Sequence, residues 1–221
     1  MEYRKDPLVN DNYYHVFSRS IAKYIVFNDE EDYTRFLELV NIYRYSNFDH
    51  KYSKFKELQI STQKEILSGL SKEKDLLVEI LAYCFMPTHF HLVLKQTKEN
   101  GISIYLGKVL NSYTRYFNAK HGRSGPLWAS RFKNVLVGTD EQLLHLTRYI
   151  HLNPSSAGIV DSPYDWKYSS LNEYSGFPNI CNFDDIIDLS IKEYKKFIID
   201  RKDYQRNLSL IKGLLIDDYA G

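Results

Sequence analysis

Two histidines, one residue apart, lie inside the apolar run "FMPTHFHLVLKQ" at residues 85–96. Successive side chains of a β-strand point to opposite faces of its sheet, so His89 and His91 would share one face while Phe90 anchors the other. Two neighbouring imidazoles can act as ligands of a divalent metal ion. Two polar side chains on a solvated sheet face would have the same spacing, so a metal site needs support from other residues.

A second group of reactive side chains shares one stripe of a predicted helix, because Gln142, His145, Tyr149 and Asn153 follow one another at helical spacing. An Asn carbonyl oxygen with two histidine nitrogens makes a partial ligand set that leaves metal positions open for substrate oxygens. A tyrosine hydroxyl ionises near pH ~10, so as a nucleophile it needs a base or a nearby cation. An ordinary solvated helix face would also fit this spacing. The core-facing stripe of the same helix consists of Leu143, Leu146 and Ile150.

The middle of the chain is basic and aromatic, and residues 101–139 include no Asp or Glu although the whole chain has 28 acidic residues. Cations that follow phosphates and rings that stack on bases are typical of a single-stranded nucleic-acid groove. Ordinary solvated surfaces mix both signs of charge, so the absence of acids is the stronger signal. The residues predicted to contact DNA are Arg115, Lys120, Arg123, Trp128, Arg131 and Lys133.

The predicted order of elements, β-α-β-β-α-β-α, indicates the α+β class. We expect a ferredoxin-like (RRM-like) antiparallel sheet with helices on one face, followed by an extra helix that carries Tyr149 and by C-terminal helices. The first and third strands are neighbours in such a sheet, so His15 and Arg19 would border the site. The predicted elements are a strand at 13–21, a helix at 29–46 capped by Asn28, an exposed helical insertion at 47–75, strands at 76–86 and 89–96, a helix at 101–122, a strand at 131–138, and a helix that starts at Thr139 and stops near Asn153 because of Pro154.

The composition sets limits on the class of protein. A chain of 221 residues with a net charge of +1 suits one domain with appendages, and it is not strongly basic overall. No apolar run approaches the ~18 residues of a membrane span, and "MEYRKDPLVNDNYY" lacks the apolar segment of a secretory signal. Cys84 and Cys181 lack metal-binding or disulfide-framework spacing. We therefore expect a cytoplasmic protein that does not contact a membrane.

Three motifs occur in order: "MPTHFHLVL" at 86–94, "GRSGPLWASRFK" at 122–133 and "RYIHLNPSSAGIV" at 148–160, with "WKYSS" following at 166–170. Together they resemble the His-hydrophobic-His single-strand DNA transposases with one catalytic tyrosine, which are the IS200-like enzymes and their REP-associated branch. The resemblance implies a transposase domain over residues 1–175, with the insertion at 47–75, and a C-terminal helical extension over 176–221.

The resemblance also implies a reaction. Tyr149 would attack a phosphodiester of single-stranded DNA, form a 5′-phosphotyrosine and free a 3′-hydroxyl, and a later attack would rejoin the strands. His89, His91 and Asn153 would bind Mg²⁺ or Mn²⁺. A DNA hairpin would be recognised beside the cleavage site, although the Gly-Thr-aromatic signature of some hairpin-binding relatives is missing. The residues expected around this site are His145, His15 and Arg19.

Several alternatives remain open on the sequence alone. A non-catalytic single-stranded nucleic-acid-binding module with the same fold would account for the basic, aromatic stretch. A metal-free phosphoesterase with two His-x-Thr/Ser motifs is disfavoured, because the motif occurs once and as His-x-His. Tyr113 and Tyr116 are the next candidates for the nucleophile. The sequence also leaves open whether the chain acts as a monomer or as a homodimer with a tyrosine helix exchanged between subunits.

Overall fold

The computed structural model describes residues 7–175, 180–182 and 189–200. Its centre is a four-stranded antiparallel sheet in the order β2-β3-β1-β4. This is the strand order of a ferredoxin-like fold, so the predicted α+β class is confirmed. The strands are β1 (Tyr13–Arg19), β2 (Val78–Met86), β3 (His89–Gln96) and β4 (Lys133–Val137).

Helices cover both faces of this sheet. Among the described residues there is no helix long and apolar enough to cross a membrane. Short 3-10 turns occur at Ile21–Lys23, Pro163–Asp165 and Ser170–Ser175. The helices are α1 (Glu30–Ile42), α2 (Tyr52–Glu57), α3 (Ile60–Glu73), α4 (Gly101–Lys120), α5 (Asp140–Ser156) and α6 (Ile191–Ile199).

The alternation of side chains along β3 divides the core into two layers. Phe90, Leu92 and Leu94 face the layer that contains α1 and α4. On the opposite face, Val93 joins a second layer with α5 and α6. Strands buried on both faces carry apolar residues at nearly every position, which is why "EILAYCFM" and "HFHLVL" read as nearly continuous apolar runs. The two histidines interrupt that pattern on the α5 face alone.

Helices α1 and α5 differ from the predicted ones at their ends, and α1 stops at Ile42 instead of residue 46. The N-cap of α1 is Asp29, whose extended backbone lets its carboxylate accept a hydrogen bond from the Asp32 amide at 3.0 Å. Asn28, the predicted cap, instead donates its side-chain amide to Asp32 at 3.2 Å. For α5 the predicted cap Thr139 is correct, but the helix continues to Ser156. Pro154 lies in the last turn, where its missing amide costs one hydrogen bond and does not break the helix.

The predicted insertion at 47–75 contains α2 and α3, but it is less exposed than expected. Its aromatic residues close over the α1 side of the core, and Leu70 does the same from α3. Most of the predicted C-terminal extension lies outside the described residues; its described part is residues 180–182 and 189–200, with helix α6. The buried members of the insertion are Phe48, Tyr52, Phe55 and Leu70.

We expect Gly101→Ala to destabilise the fold. A Cβ at this first residue of α4 would overlap the carbonyl oxygen of Leu77, which is backbone and cannot swing away. The loss in free energy of unfolding should be about 2 kcal/mol, as for other overpacked positions. Gly107→Ala in the same helix is the matched control, because nothing lies within 4 Å of its added Cβ. It should raise the free energy of unfolding by up to about 1 kcal/mol. Chemical denaturation of both variants measures this, and a Gly107→Ala protein less stable than Gly101→Ala would contradict the prediction.

Candidate active site

The histidine pair lies on the α5 face of the sheet, as the alternation along β3 predicts. The ring centroids of His89 and His91 are 5.0 Å apart, with the rings nearly perpendicular. His91 is buried between two strands, opposite Cys84 on β2 and Phe17 on β1. Phe90 points the other way and packs against Phe36, with ring centroids 5.2 Å apart. The strand therefore holds both imidazoles on one side through the core packing of the residue between them.

Hydrogen bonds orient both imidazoles in the same manner. Nδ1 of His91 lies 3.0 Å from Nε2 of His15, and Nδ1 of His89 lies 3.0 Å from the Thr88 hydroxyl. An imidazole whose Nδ1–H donates to a neighbour has a free lone pair on Nε2, which is the arrangement common in metal-binding histidines. Among the described residues, Nε2 of His91 is buried and has no hydrogen-bond partner. This nitrogen is therefore available to bind a ligand.

The electrostatics of the site favour neutral imidazoles. Burial and, to a smaller extent, the positive charge of Arg19 lower the pKa of His89 to about 4. Burial also lowers the pKa of His91 well below its usual value, with smaller effects from His89 and His15. Arg19 lies opposite His89 in the β1–β3 pairing. Both residues predicted to border the histidine pair, His15 and Arg19, are therefore next to it.

Helix α5 brings the predicted tyrosine to the histidine pair. The ring of Tyr149 meets that of His91 edge to face, with centroids 6.0 Å apart. Tyr149 is 7% exposed and Asn153, one turn later, is 4% exposed. Within the described chain, the side-chain nitrogen of Asn153 has no hydrogen-bond partner. Leu146 and Ile150 sit in the second core layer and set the rotation of the helix. The polar stripe that could have been solvated is buried instead.

His145 belongs to the same stripe but makes a different contact. Its ring lies 5.3 Å from that of Phe197 on α6, and it is buried rather than on the helix surface. Arg148 is also covered from α6, with its guanidinium 4.5 Å from the Phe197 ring centre and a hydrogen bond to the carbonyl of Asp200. Sequence periodicity could not reveal that α6 covers these side chains of α5, because α6 lies some fifty residues further along the chain.

A further buried histidine was not singled out from the sequence. His151 has Nδ1 2.8 Å from the Tyr194 hydroxyl and Nε2 2.8 Å from the Ser170 hydroxyl. Tyr194 donates onward to Thr147 at 3.3 Å, and Ser170 accepts from the Tyr83 amide at 2.9 Å. This network joins α5 to both β2 and α6. Burial lowers the pKa of His151 to about 3, so the ring is neutral. "RYIHLNP" contained the residue, but its partners are far away in sequence.

The predicted DNA-contact residues do not form one surface. Lys120 is ion-paired with Asp29, Glu31 and Asp32, so acids from α1 neutralise part of the acid-free stretch. Trp128 packs partly in the core, 5.5 Å from the Phe90 ring. The others are distributed as follows: Arg115 lines a cleft between α1 and α4, Arg123 lies 5.3 Å above the Tyr24 ring, Arg131 lines a pocket beside α4, and Lys133 begins β4.

The two other tyrosines considered as nucleophiles lie on the opposite face of the sheet. Tyr113 is fully buried and donates its hydroxyl to the carbonyl of Val26 at 2.5 Å. Tyr116 donates to the carboxylate of Asp32 at 3.1 Å. Both hydroxyls are engaged in structural hydrogen bonds, whereas Tyr149 contacts a histidine of the pair. The geometry therefore favours Tyr149 among the three.

The ligand set available for a metal is partial. The described ranges contain no group of three His, Cys, Asp or Glu side chains arranged to hold a metal ion. The two histidines, with their Nδ1 atoms already engaged, would supply two ligands, and the side-chain oxygen of the buried Asn153 is the candidate for a third. Such a set fits a divalent ion whose remaining positions are filled by substrate or water, as in catalytic sites.

Comparison with known proteins gives one family match. The family model described as "Transposase IS200 like" matches residues 8–153, which contain both histidines, Tyr149 and Asn153. A search of curated protein sequences finds no significant match.

Solved structures give a fold match. A REP-associated tyrosine transposase bound to a REP hairpin has a TM-score of 0.53 and 16% identity, with 86% of this chain and 96% of that chain covered. A tRNA(His) guanylyltransferase from Saccharomyces cerevisiae covers 100% of this chain and 85% of its own, at 12% identity and a TM-score of 0.37. That score is too low to support an argument, so the likeness to the first structure is the one that bears on the fold.

The metal-free protein should keep His89 neutral in mild acid. With a pKa of about 4, its ring should be largely uncharged at pH 5.5, where a histidine of ordinary pKa ~6.5 is about 90% protonated. The proton bound in the unfolded chain but not in the folded one should also reduce stability as the pH falls from 6.5 towards 4. Long-range ¹H–¹⁵N NMR of the imidazoles measures the titration directly, and a midpoint near 6.5 would contradict it.

Proposed function

This chain belongs to the IS200-like transposase family, and from that premise we propose that it is a metal-dependent endonuclease that cleaves and rejoins single-stranded DNA through Tyr149. The observation that carries the proposal is the edge-to-face contact of Tyr149 with His91, whose Nε2 is buried and has no partner within the described ranges. A nucleophile and a metal-ligand nitrogen are thus adjacent in a water-poor site, an arrangement that suits phosphodiester chemistry.

Nε2 of His89, Nε2 of His91 and the amide oxygen of Asn153 would hold the divalent ion, Mg²⁺ or Mn²⁺, which would polarise a phosphate and ease proton loss from a nearby hydroxyl. The protein would contribute orientation. With His15 and Thr88 accepting from the two Nδ1–H groups, both Nε2 atoms would keep their lone pairs for the ion. The lowered pKa values of the pair keep the ligands neutral, and therefore available, at neutral pH.

The bond changes at Tyr149 would be a transesterification. Its Oη forms a bond to the phosphorus, and the bond from phosphorus to the 3′ oxygen breaks. The proton that the phenol loses is, in the net reaction, the one that the 3′ oxygen gains, so no water is consumed. The 5′-phosphotyrosine conserves the energy of the diester, and a 3′-hydroxyl attacking the same phosphorus reverses the step with a new strand. Burial of Tyr149 limits the competing attack by water.

The substrate that we propose is single-stranded DNA next to a hairpin, because a solved structure of the same fold is bound to a REP hairpin. The loop that carries Arg123 and Arg131 is attached to the end of β1, through hydrogen bonds from Ile21 to the Leu127 carbonyl and from Ala129 to the Arg19 carbonyl, both 2.9 Å. Since Arg19 pairs with His89, the attachment points of this loop lie at the end of β1 next to the proposed reaction site. Cations of the loop would contact phosphates of the DNA on either side of the cleaved bond.

We expect Tyr149→Phe to abolish covalent attachment to DNA while leaving metal and DNA binding intact. Removal of the nucleophilic oxygen should reduce the protein–DNA adduct to below about 1% of the wild-type yield. The measurement is a denaturing gel of the protein incubated with labelled hairpin oligonucleotides and Mn²⁺. Tyr116→Phe is the matched control and should retain full adduct formation, because its hydroxyl binds Asp32 on the opposite face. An adduct that survives in Tyr149→Phe would show that another residue is the nucleophile. If the wild-type protein forms no adduct with any of a broad set of hairpins, the non-catalytic binding module would be favoured.

Metal affinity should depend on His91. We expect His91→Ala to weaken Mn²⁺ binding at least about 100-fold, and His15→Phe, which removes the partner of Nδ1, to weaken it about 10-fold. Isothermal titration with Mn²⁺ in the absence of DNA would measure both. His50→Ala is the control, because His50 is exposed and lies on the α1 side of the molecule. Equal affinities for all three variants would argue against a metal site at the pair.

A further inference from the structure

A cleft of about 780 Å³ lies on the α1 and α4 side of the molecule, across the sheet from the histidine pair. Its walls are α1, the segment 48–56 of the insertion, and α4. Neither the family resemblance nor the reaction proposed for Tyr149 assigns a role to this segment. Its volume is within the range of ligand-binding pockets.

The charged side chains that line the cleft are six basic residues and two acidic ones. Glu31, one of the two acids, is ion-paired with Lys120, and Lys56 is paired with Glu38 at the edge of the cleft. Asp49 is then the one lining carboxylate without an ion-pair partner among the described residues. In the part of the chain that the structure describes, four of the lining cations have no carboxylate within ion-pair distance, namely Arg35, Lys51, Lys108 and Arg115.

Arg35 is fixed in place at the centre of the cleft. Its guanidinium lies 5.0 Å from the ring centre of Tyr52 and 4.9 Å from that of Tyr116. Tyr52 is itself held by a hydrogen bond from its amide to the Tyr43 hydroxyl at 3.1 Å. Packing against two rings restricts the guanidinium, whose planar fork of N–H donors matches phosphate oxygens. Since Arg35 already occupies those ring faces, the cleft is suited to phosphates rather than to stacked bases.

The unpaired cations extend over more than one phosphate group. Lys108 and Arg115 are seven residues apart on the same face of α4, which separates them by about 10 Å along the helix axis. Lys108 also ties this wall to the insertion, because it donates to the Phe48 carbonyl at 3.3 Å. Arg35 and Lys51 face them from the other wall. A row of cations on both sides matches a succession of phosphates better than a single anion.

We propose that this cleft binds the sugar–phosphate backbone of a single-stranded nucleic acid, at a site separate from the histidine pair. The inference rests on the basic side chains that line the cleft and on the packing of the Arg35 guanidinium against two rings. It does not depend on cleavage at Tyr149. A strand bound here would contact the face of the protein opposite the proposed reaction site. The insertion at 48–56 would then be a nucleic-acid-binding element of the transposase fold in this chain.

The test uses Tyr149→Phe protein in EDTA, so that neither metal binding nor adduct formation contributes. Fluorescence anisotropy with labelled dT12 is measured over a range of salt for the double variant Lys51→Gln, Lys108→Gln. Loss of two phosphate contacts should weaken binding roughly 10- to 30-fold at 0.1 M salt and reduce the salt slope by about 1.4. The matched control, Lys64→Gln with Lys72→Gln, removes the same charge from exposed positions of α3 outside the cleft. Equal losses for the two double variants would overturn the proposal.

A second measurement locates the strand. A dT12 analogue with 5-iododeoxyuridine, crosslinked by light and mapped by mass spectrometry, should label Tyr116 or His50, which line the cleft. Labelling confined to the α5 face would overturn the proposal. Displacement of dT12 from the cleft by tripolyphosphate at equal phosphate concentration would also overturn it, in favour of a free polyphosphate ligand. Neither measurement requires catalysis. An inactive Tyr149 would therefore leave both results unchanged, whereas absence of binding at the cleft would change them.

Discussion

The pairing of β1 with β3 is the constraint on which the candidate site depends. Its register sets Arg19 opposite His89 and Phe17 opposite His91, and it brings His15 within hydrogen-bond distance of His91. A slip of one residue would turn both histidines into the apolar layer under α1 and α4. The register is secured by the residues between the functional ones, since Phe90 fills the opposite layer. Core packing on one face of the sheet therefore determines the orientation of the polar side chains on the other face.

The two faces of the sheet carry different kinds of surface. The α5 face buries neutral, hydrogen-bonded imidazoles whose charged forms are disfavoured. The opposite face carries an open cleft lined by Arg35 and its neighbouring basic side chains. Buried neutral nitrogens suit metal coordination, and open cations suit the screened, long-range attraction of phosphates. The fold thus separates the groups that could take part in the reaction from the groups that could bind a nucleic-acid strand.

Periodicity in the sequence predicted the four strands, the helix α4 and the common face of Tyr149 and Asn153, because these follow from local spacing. It could not predict the bonds of His91 with His15 or of His151 with Tyr194, which join residues 76 and 43 positions apart. The same limit explains Lys120. It belongs to an acid-free stretch of sequence, but three carboxylates of α1 reach it in space. Local patterns set faces and periods, and the tertiary pairing decides which of those faces is solvated.

Helix α5 is held by a hydrogen-bond network on one side. On its other side, some buried polar atoms have no partner among the described residues. Beneath and behind the helix, hydrogen bonds link Ser170, His151, Tyr194 and Thr147 in a chain, so each of these side chains has a partner. On the side of the histidine pair, buried nitrogens of His91 and Asn153 have no partner in the described chain. Leaving buried polar atoms unpaired costs about 1–3 kcal/mol each. A protein that satisfies one network fully and leaves its neighbour open has the arrangement expected where an external ligand completes the site.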